Sequence, residues 1–156
     1  MTLIQDAING ARHQPAPTTP EATLEEFYAA FNGRDIDIMT QNWSDGAEAS
    51  MSNPLGGIRR GWDEIKAGYD RLFTGPARVY VEFYDYSVHE LGDVFFAVGR
   101  ERGAFQLGAT RVELAIRTSR IYQRRDGRWR QVHHHGSIDD PVLLARYQTA
   151  VLHAQR

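Results

Sequence analysis

Apolar positions change period partway along the chain, from about 3.6 residues in the first half to 2 in the second. Leu24, Phe27, Tyr28 and Phe31 follow at i, i+3, i+4 and i+7, which predicts one buried face of a helix. Pro20 suits the first position of that helix, with Thr19 as its cap and Asn32-Gly33 as its stop. Ile36 to Trp43 reads as a second short helix ended by Ser44-Asp45-Gly46, and Ala47 to Asn53 as a short strand. Trp62, Ile65, Tyr69, Leu72 and Phe73 mark a third amphipathic helix, closed by Gly75-Pro76. Alternation then predicts strands over Val79 to Val88, Val94 to Phe105, Val112 to Tyr122 and Trp129 to Ile138. Gly92-Asp93 and Asp126-Gly127 supply hairpin turns, and Asp140-Pro141 opens a last helix over Val142 to His153.

Helices first and a strand meander second predict an α+β fold: three N-terminal helices packed on a curved, mainly antiparallel sheet, plus a C-terminal helix. Ahead of it, Leu3, Ile4, Ala7 and Ile8 form one apolar stripe, and Gly10 with Pro15, Pro17 and Pro20 separates that stripe from the domain. The expected organisation is a flexible arm or partner-binding strap over residues 1–19, the arm preferred, and a single domain over 20–156.

Composition narrows the function. A chain of 156 residues with 42% hydrophobic positions suits one domain with a real core. A net charge of −2 marks neither a nucleic-acid nor an anionic-membrane partner. The absence of cysteine removes disulfides, thiolate ligands and cysteine nucleophiles. No stretch approaches the ~20 apolar residues that span a bilayer, and the N-terminus lacks a signal-peptide pattern, so a cytoplasmic protein is expected.

The last hairpin concentrates the candidate chemistry. With Asp126-Gly127 as a two-residue loop, Tyr122 pairs with Gln131, Arg120 with His133, and Thr118 with His135. Alternation then puts Thr118, Arg120, Tyr122, Gln131, His133 and His135 on one face, continuous with Val112, Leu114 and Ile116. That face is expected to pack on the helices. An unpaired guanidinium there is unfavourable. Arg120 therefore either pairs with a buried carboxylate or caps a helix, or else lines an open pocket and binds an anion through its fork.

His133 and His135 would lie about 6.5 to 7 Å apart on one face, a spacing two metal ligands can share. No third ligand stands beside them in sequence, so no metal and no cofactor are expected. Proton transfer beside a carbonyl needs a base in the pocket. The inward row of the last hairpin holds no carboxylate, Glu82, Asp85 and Glu101 lie on other strands with either facing open, and a histidine base is conceivable. No nucleophile elbow, P-loop or dinucleotide glycine motif is present.

The run from Thr118 to Trp129, with Arg120, Ile121, Tyr122 and Arg124-Arg125-Asp126-Gly127-Arg128-Trp129, and its continuation Val132-His133-His134-His135-Gly136-Ser137, resembles the calcium/calmodulin-dependent protein kinase II association domain. The family pattern is Arg, an apolar residue, an aromatic, Arg-Arg-Asp-Gly-Lys/Arg-Trp, then Val-His-x-His-x-Ser. Phe31-Asn32-Gly33 with Asp35, and Gly61-Trp62-Asp63, agree more loosely, and coverage runs from about Glu21 to Ser137. The broader group is the nuclear transport factor 2-like superfamily, with SnoaL-like proteins as bacterial relatives. The resemblance implies a cone whose sheet forms dimer contacts, and a pocket bearing arginines. Arg120 falls on one, Arg100 or Arg102 would supply a second, and Tyr122 replaces a tryptophan.

This chain carries no kinase domain or calmodulin-binding linker, extends past the pattern from Asp140, and has Met39 and Ile65 where polar pocket groups are expected. The expected function is a stand-alone oligomerising protein whose pocket, formed by Arg120, His133, His135, Tyr122, Thr118 and Arg100, binds a small carboxylate-type anion. The alternative is a SnoaL-like isomerase, cyclase or dehydratase acting on a small hydrophobic carbonyl compound. Ala115, Ile121, Val132 and Ile138 on the other face are too apolar for solvent, and a homodimer or larger homo-oligomer would cover them.

Overall fold

The computed structural model describes residues 5–154. Its elements are α1 (Pro20–Gly33), α2 (Ile36–Asn42), β1 (Ser50–Ser52), β2 (Arg59–Arg60), α3 (Trp62–Thr74), β3 (Arg78–Leu91), β4 (Val94–Leu107), β5 (Thr110–Arg125), β6 (Arg128–Ser137) and α4 (Pro141–Ala154). The strands form one sheet in the order β2-β1-β6-β5-β4-β3. Every pairing is antiparallel except that of β1 with β6. This is the expected α+β cone, with the four helices against one face of an open sheet.

Local chemistry sets the helix ends. The Thr19 hydroxyl accepts from Ala22 N at 3.1 Å, and Asp35 Oδ1 accepts from Asp37 N and Ile38 N at 3.0 Å. The residue that closes α1 is Arg34, in the left-handed region at φ 56. Its guanidinium donates to the carbonyls of Leu72, Phe73, Gly75 and Ala77, so one side chain ties the end of α1 to the end of α3. Leu24, Phe27 and Tyr28 are fully buried beneath it, and each such side chain contributes about 1.5–3 kcal/mol.

The lead-in is docked where the structure describes it. Ile8 is buried and exchanges two backbone hydrogen bonds of 2.8 Å with Phe83 on the edge strand β3. Asn32 Nδ2 donates to Asn9 O. Gly10 sits at φ 91, where a Cβ would come within 2.4 Å of the Ala29 backbone, so only glycine permits this approach to α1. Residues 8–10 are thus a strap across β3 and α1, not a free arm. Leu3 and Ile4 of the apolar stripe lie outside the described residues.

Two bulges shape the sheet. On β3, Asp85 (φ 48) and Tyr86 together oppose Gly99 between the pairs Tyr84↔Arg100 and Ser87↔Val98. On β6, Tyr122↔Gln131 is followed by Ile121↔His133, leaving Val132 as an extra residue. The expected register therefore holds only from the turn to Gln131. Beyond it every partner moves by one: Arg120 faces His134, Ser119 faces His135, and Thr118 faces Gly136. The same slip turns Ile138 inward, where it is buried, instead of onto the outer face with Ala115 and Ile121. Among the described residues, no helix is long and apolar enough to cross a membrane.

Candidate functional site

A cavity of about 640 Å³ opens between α1, α3, α4 and the inner face of the sheet. Its walls are mostly apolar, supplied by residues such as Phe27, Met51, Val81, Phe105, Leu114 and Ile116. That volume lies within the range of small-molecule sites, which are typically ~300–1,000 Å³. Arg59 and Arg71 stand in its lining as well, and Glu101, Arg120 and His134 form its polar end.

The alternation of β5 places Val112, Leu114, Ile116, Thr118, Arg120 and Tyr122 inward, all of them buried. Arg120 is only 2% exposed and still charged. Burial pulls its pKa down, but Tyr28, Glu101 and the other nearby phenols outweigh burial and raise it. The guanidinium donates from NH1 to Gln131 Oε1 at 2.8 Å, from NH2 to Glu101 Oε2 at 3.3 Å, and from Nε to the Tyr28 hydroxyl at 3.4 Å. Its central carbon lies 3.6 Å from the Phe27 ring centroid. Three of its five N–H groups are thereby engaged.

Glu101 is the partner that decides the reading of Arg120. It projects inward from β4 with its side chain 6% exposed, and accepts from Thr118 Oγ1 at 2.6 Å and from Tyr28 OH at 2.8 Å as well as from Arg120. Arg120 is thus held in a buried ion pair. A polar relay supports it from behind: Gln131 Nε2 donates to Asn42 Oδ1, Asn42 Nδ2 donates to Glu26 Oε1, and Arg128 holds both Glu26 oxygens at 2.9 Å. Burial raises the Tyr28 hydroxyl well above its ordinary pKa and takes Tyr69 and Tyr147, both on the cavity wall, up to about 12.

Of the six expected pocket residues, Arg120 lines the polar end, and Thr118 is buried beside it with its hydroxyl on Glu101, outside the lining. Tyr122 is inward but lies behind the cavity wall, stacked on Phe95 with centroids 4.6 Å apart and its hydroxyl on Asn42. The other three are on the opposite face of the sheet. His133 bonds Ser50 Oγ at 2.8 Å, His135 is exposed, and Arg100 is exposed with its Nε on Asp85 at 3.1 Å. The bulge at Val132 displaces the two histidines, and the alternation of β4, with Glu101 inward, turns Arg100 outward. His133 and His135 keep a ring spacing of 6.5 Å, and among the described residues no cluster of three metal-ligating side chains includes them.

In their place the bulge brings His134 inward, only 6% exposed, opposite Arg120 and beside Met51 of β1. Its Nδ1 lies 3.3 Å from the Ser119 carbonyl, an atom that only accepts, so Nδ1 carries the proton. Burial, followed by the charge of Arg120, pushes its pKa well below the ordinary histidine value. A neutral imidazole with Nε2 unprotonated is the result.

The sequence model of the SnoaL-like domain family matches residues 21–141, well over half of the chain. No protein of curated function matches it. A protein from Thiobacillus denitrificans, proposed to be a calcium/calmodulin-dependent protein kinase type II association domain, is 28% identical, with a TM-score of 0.64 over 80% of this chain and 98% of its own. A proposed dehydratase of the NTF2-like family from Streptomyces avermitilis is 20% identical, with a TM-score of 0.64 over 74% of this chain and 89% of its own. The CaMKII hub of S. rosetta is 18% identical, with a TM-score of 0.65 over 78% of this chain and 98% of its own. The inward, helix-covered face, its deep cavity and the match along residues 21–141 lead to one assignment: the chain belongs to the SnoaL-like domain family, on an NTF2-like fold.

Proposed function

We propose that this protein binds an apolar small molecule with a neutral polar head group, a carbonyl or hydroxyl, and acts on it as a SnoaL-like isomerase, cyclase or dehydratase. One observation carries the reading: an apolar cavity of about 640 Å³ ends on a buried Arg120–Glu101 pair. A carboxylate ligand would bring a second negative charge to a guanidinium that already has one partner, and would be desolvated beside Glu101. A carbonyl or hydroxyl brings no charge and can accept from the N–H groups of Arg120 that remain. The apolar walls supply affinity and the polar end supplies orientation.

Filling the cavity tests this directly. Val79 lines it and is only partly buried, so Val79→Trp should leave the fold intact and occupy the ligand's space. The expected result is that 2-naphthol, a fluorescent apolar probe with one hydroxyl, binds the wild type and not the variant. Equal binding by both would place the ligand elsewhere.

A second reading, assembly, draws support from the outer face of the sheet. Val98 is 44% exposed there, with Ala115, Ile121 and Val132 nearby in the register. The Thiobacillus relative proposed as an association domain is compatible with it. A homodimer across this face would cover the apolar row. Val132→Asp is expected to shift light-scattering mass towards the monomer at an unchanged melting temperature. A wild type that is already monomeric at micromolar concentration would end the reading.

A further inference from the structure

We infer that His134 is the proton acceptor of this cavity, and that the bound molecule presents to its Nε2 a weakly acidic hydrogen, either an enol or phenol O–H or a C–H beside a carbonyl. The inference rests on the cavity reading above and adds the group that does chemistry in it. Three observations carry it. The side chain is more than nine-tenths buried, yet it forms part of the cavity wall. Its Nδ1–H is committed to the Ser119 carbonyl, which leaves Nε2 as a lone-pair acceptor; among the described residues Nε2 has no hydrogen-bond partner. Gly136 keeps the space beside Nε2 open, since a Cβ there would stand 3.2 Å from that atom and 3.4 Å from Pro54 Cδ.

The charges around the imidazole favour this role. Arg120 opposes it from β5, and Arg59 and Arg71 stand in the same cavity lining from the β2 and α3 side. Burial and the charge of Arg120 disfavour an imidazolium, and so do the flanking His133 and His135 on its own strand. Among the described residues Glu101 is the one carboxylate in that lining, and its oxygens already accept from Thr118, Tyr28 and Arg120. Tyr69 and Tyr147, the phenols that α3 and α4 contribute to that wall, have their pKa raised by burial and carry no charge at neutral pH. The base is therefore neutral and ready at neutral pH.

With an enolisable carbonyl compound the step balances within the site. Nε2 takes the C–H proton, and the C–H electron pair moves into the carbonyl to give an enolate. The N–H groups of Arg120 that its partners leave free donate to the oxygen as charge develops, and the imidazolium formed in the same step keeps the net charge of the site unchanged. Where a C=C bond of the bound molecule is conjugated with the enolate, the proton on Nε2 returns to the far carbon of that system, which restores the neutral imidazole and leaves the double-bond isomer. No oxidant, reductant or second substrate takes part.

Fluorescence titration of the wild type with 2-naphthol and with 2-methoxynaphthalene, which has no acidic hydrogen, tests the inference. The naphthol is expected to bind about tenfold more tightly, the worth of one well-formed hydrogen bond, and to emit from the naphtholate. In His134→Leu the two probes should bind alike and naphtholate emission should vanish, while the affinity for the methyl ether stays within about twofold. Gly136→Ala, which keeps the histidine and crowds Nε2, should weaken the naphthol selectively. In the wild type the preference should persist as pH falls through about 6.5, the ordinary histidine range. Equal affinity of the wild type for both probes would overturn the role of His134 and leave the cavity reading standing. Failure of the wild type to bind either probe would overturn both.

Discussion

Glu101→Ala is expected to destabilise the protein by about 3–5 kcal/mol, the cost of leaving one partner of a buried ion pair without the other. The loss is large because three donors converge on that carboxylate. Arg120, Thr118 and Tyr28 would all face a small apolar void, and none of them is solvent-exposed. In thermal unfolding this corresponds to a fall in melting temperature on the order of 10 °C for a domain of this size. Thr118→Val removes one donor and leaves the pair intact, so it should shift the midpoint far less. A Glu101→Ala protein that melts with the wild type would mean that the pair does not form in solution.

Removing both charges should be milder than removing either one. The double variant Glu101→Leu with Arg120→Met replaces the pair by side chains of comparable reach, and buried pairs exchanged in this way are often neutral in stability. Here the Tyr28 and Thr118 hydroxyls and the Gln131 amide lose a partner, so recovery is incomplete. The expected coupling between the two sites is about 2–3 kcal/mol in a double-mutant cycle. Arg120→Met alone should be the worst of the three, because Glu101 is then buried without its cation. If the two single effects add, Arg120 and Glu101 are energetically independent and the ion pair has no place in the account. The double variant should fold and bind 2-naphthol about tenfold more weakly, the worth of one hydrogen bond, which separates the stability of the cavity from its recognition.

The elements were legible because their signals are local. Thr19-Pro20, Trp62 after Gly61, and Asp126-Gly127 mark boundaries that the structure keeps within a residue or two. The inward row of β5 followed from alternation alone, and with it Arg120, Thr118 and Tyr122. The facing of Glu101 was left open, although the sequence carries a signal for it. Phe95, Ala97, Gly99, Glu101, Gly103 and Phe105 form one alternating row, apolar at both ends and with a single charge. That row is the buried one, and the acid in it is the partner Arg120 needs.

His134 could not be read in the same way. Alternation counted back from the turn sends His133 and His135 inward, and one extra residue, Val132, reverses the result for the rest of β6. Nothing in Gln131-Val132-His133 marks a bulge, since no glycine or proline stands there. The signal is tertiary. β6 must pair with β5 on one side and run parallel to β1 on the other, and Met51 and His134 share one register position facing the helices. The docked lead-in was hidden for a related reason. The proline-rich stretch reads as a linker, and only the pairing of Ile8 with the edge strand gives it a place.

The charge preference of the cavity tests the account most directly. Calorimetric titration of the wild type with 2-naphthol and with 2-naphthoic acid compares a neutral hydroxyl with a carboxylate on the same apolar ring system. With Arg120 already matched by Glu101, the naphthol should bind and the acid should bind at least about tenfold more weakly, since it adds an unpaired charge to a buried site. Tighter binding of the acid would contradict the account. It would mean that a cation of the lining takes the carboxylate, either Arg120 released from Glu101 or Arg59 or Arg71 on the cavity wall.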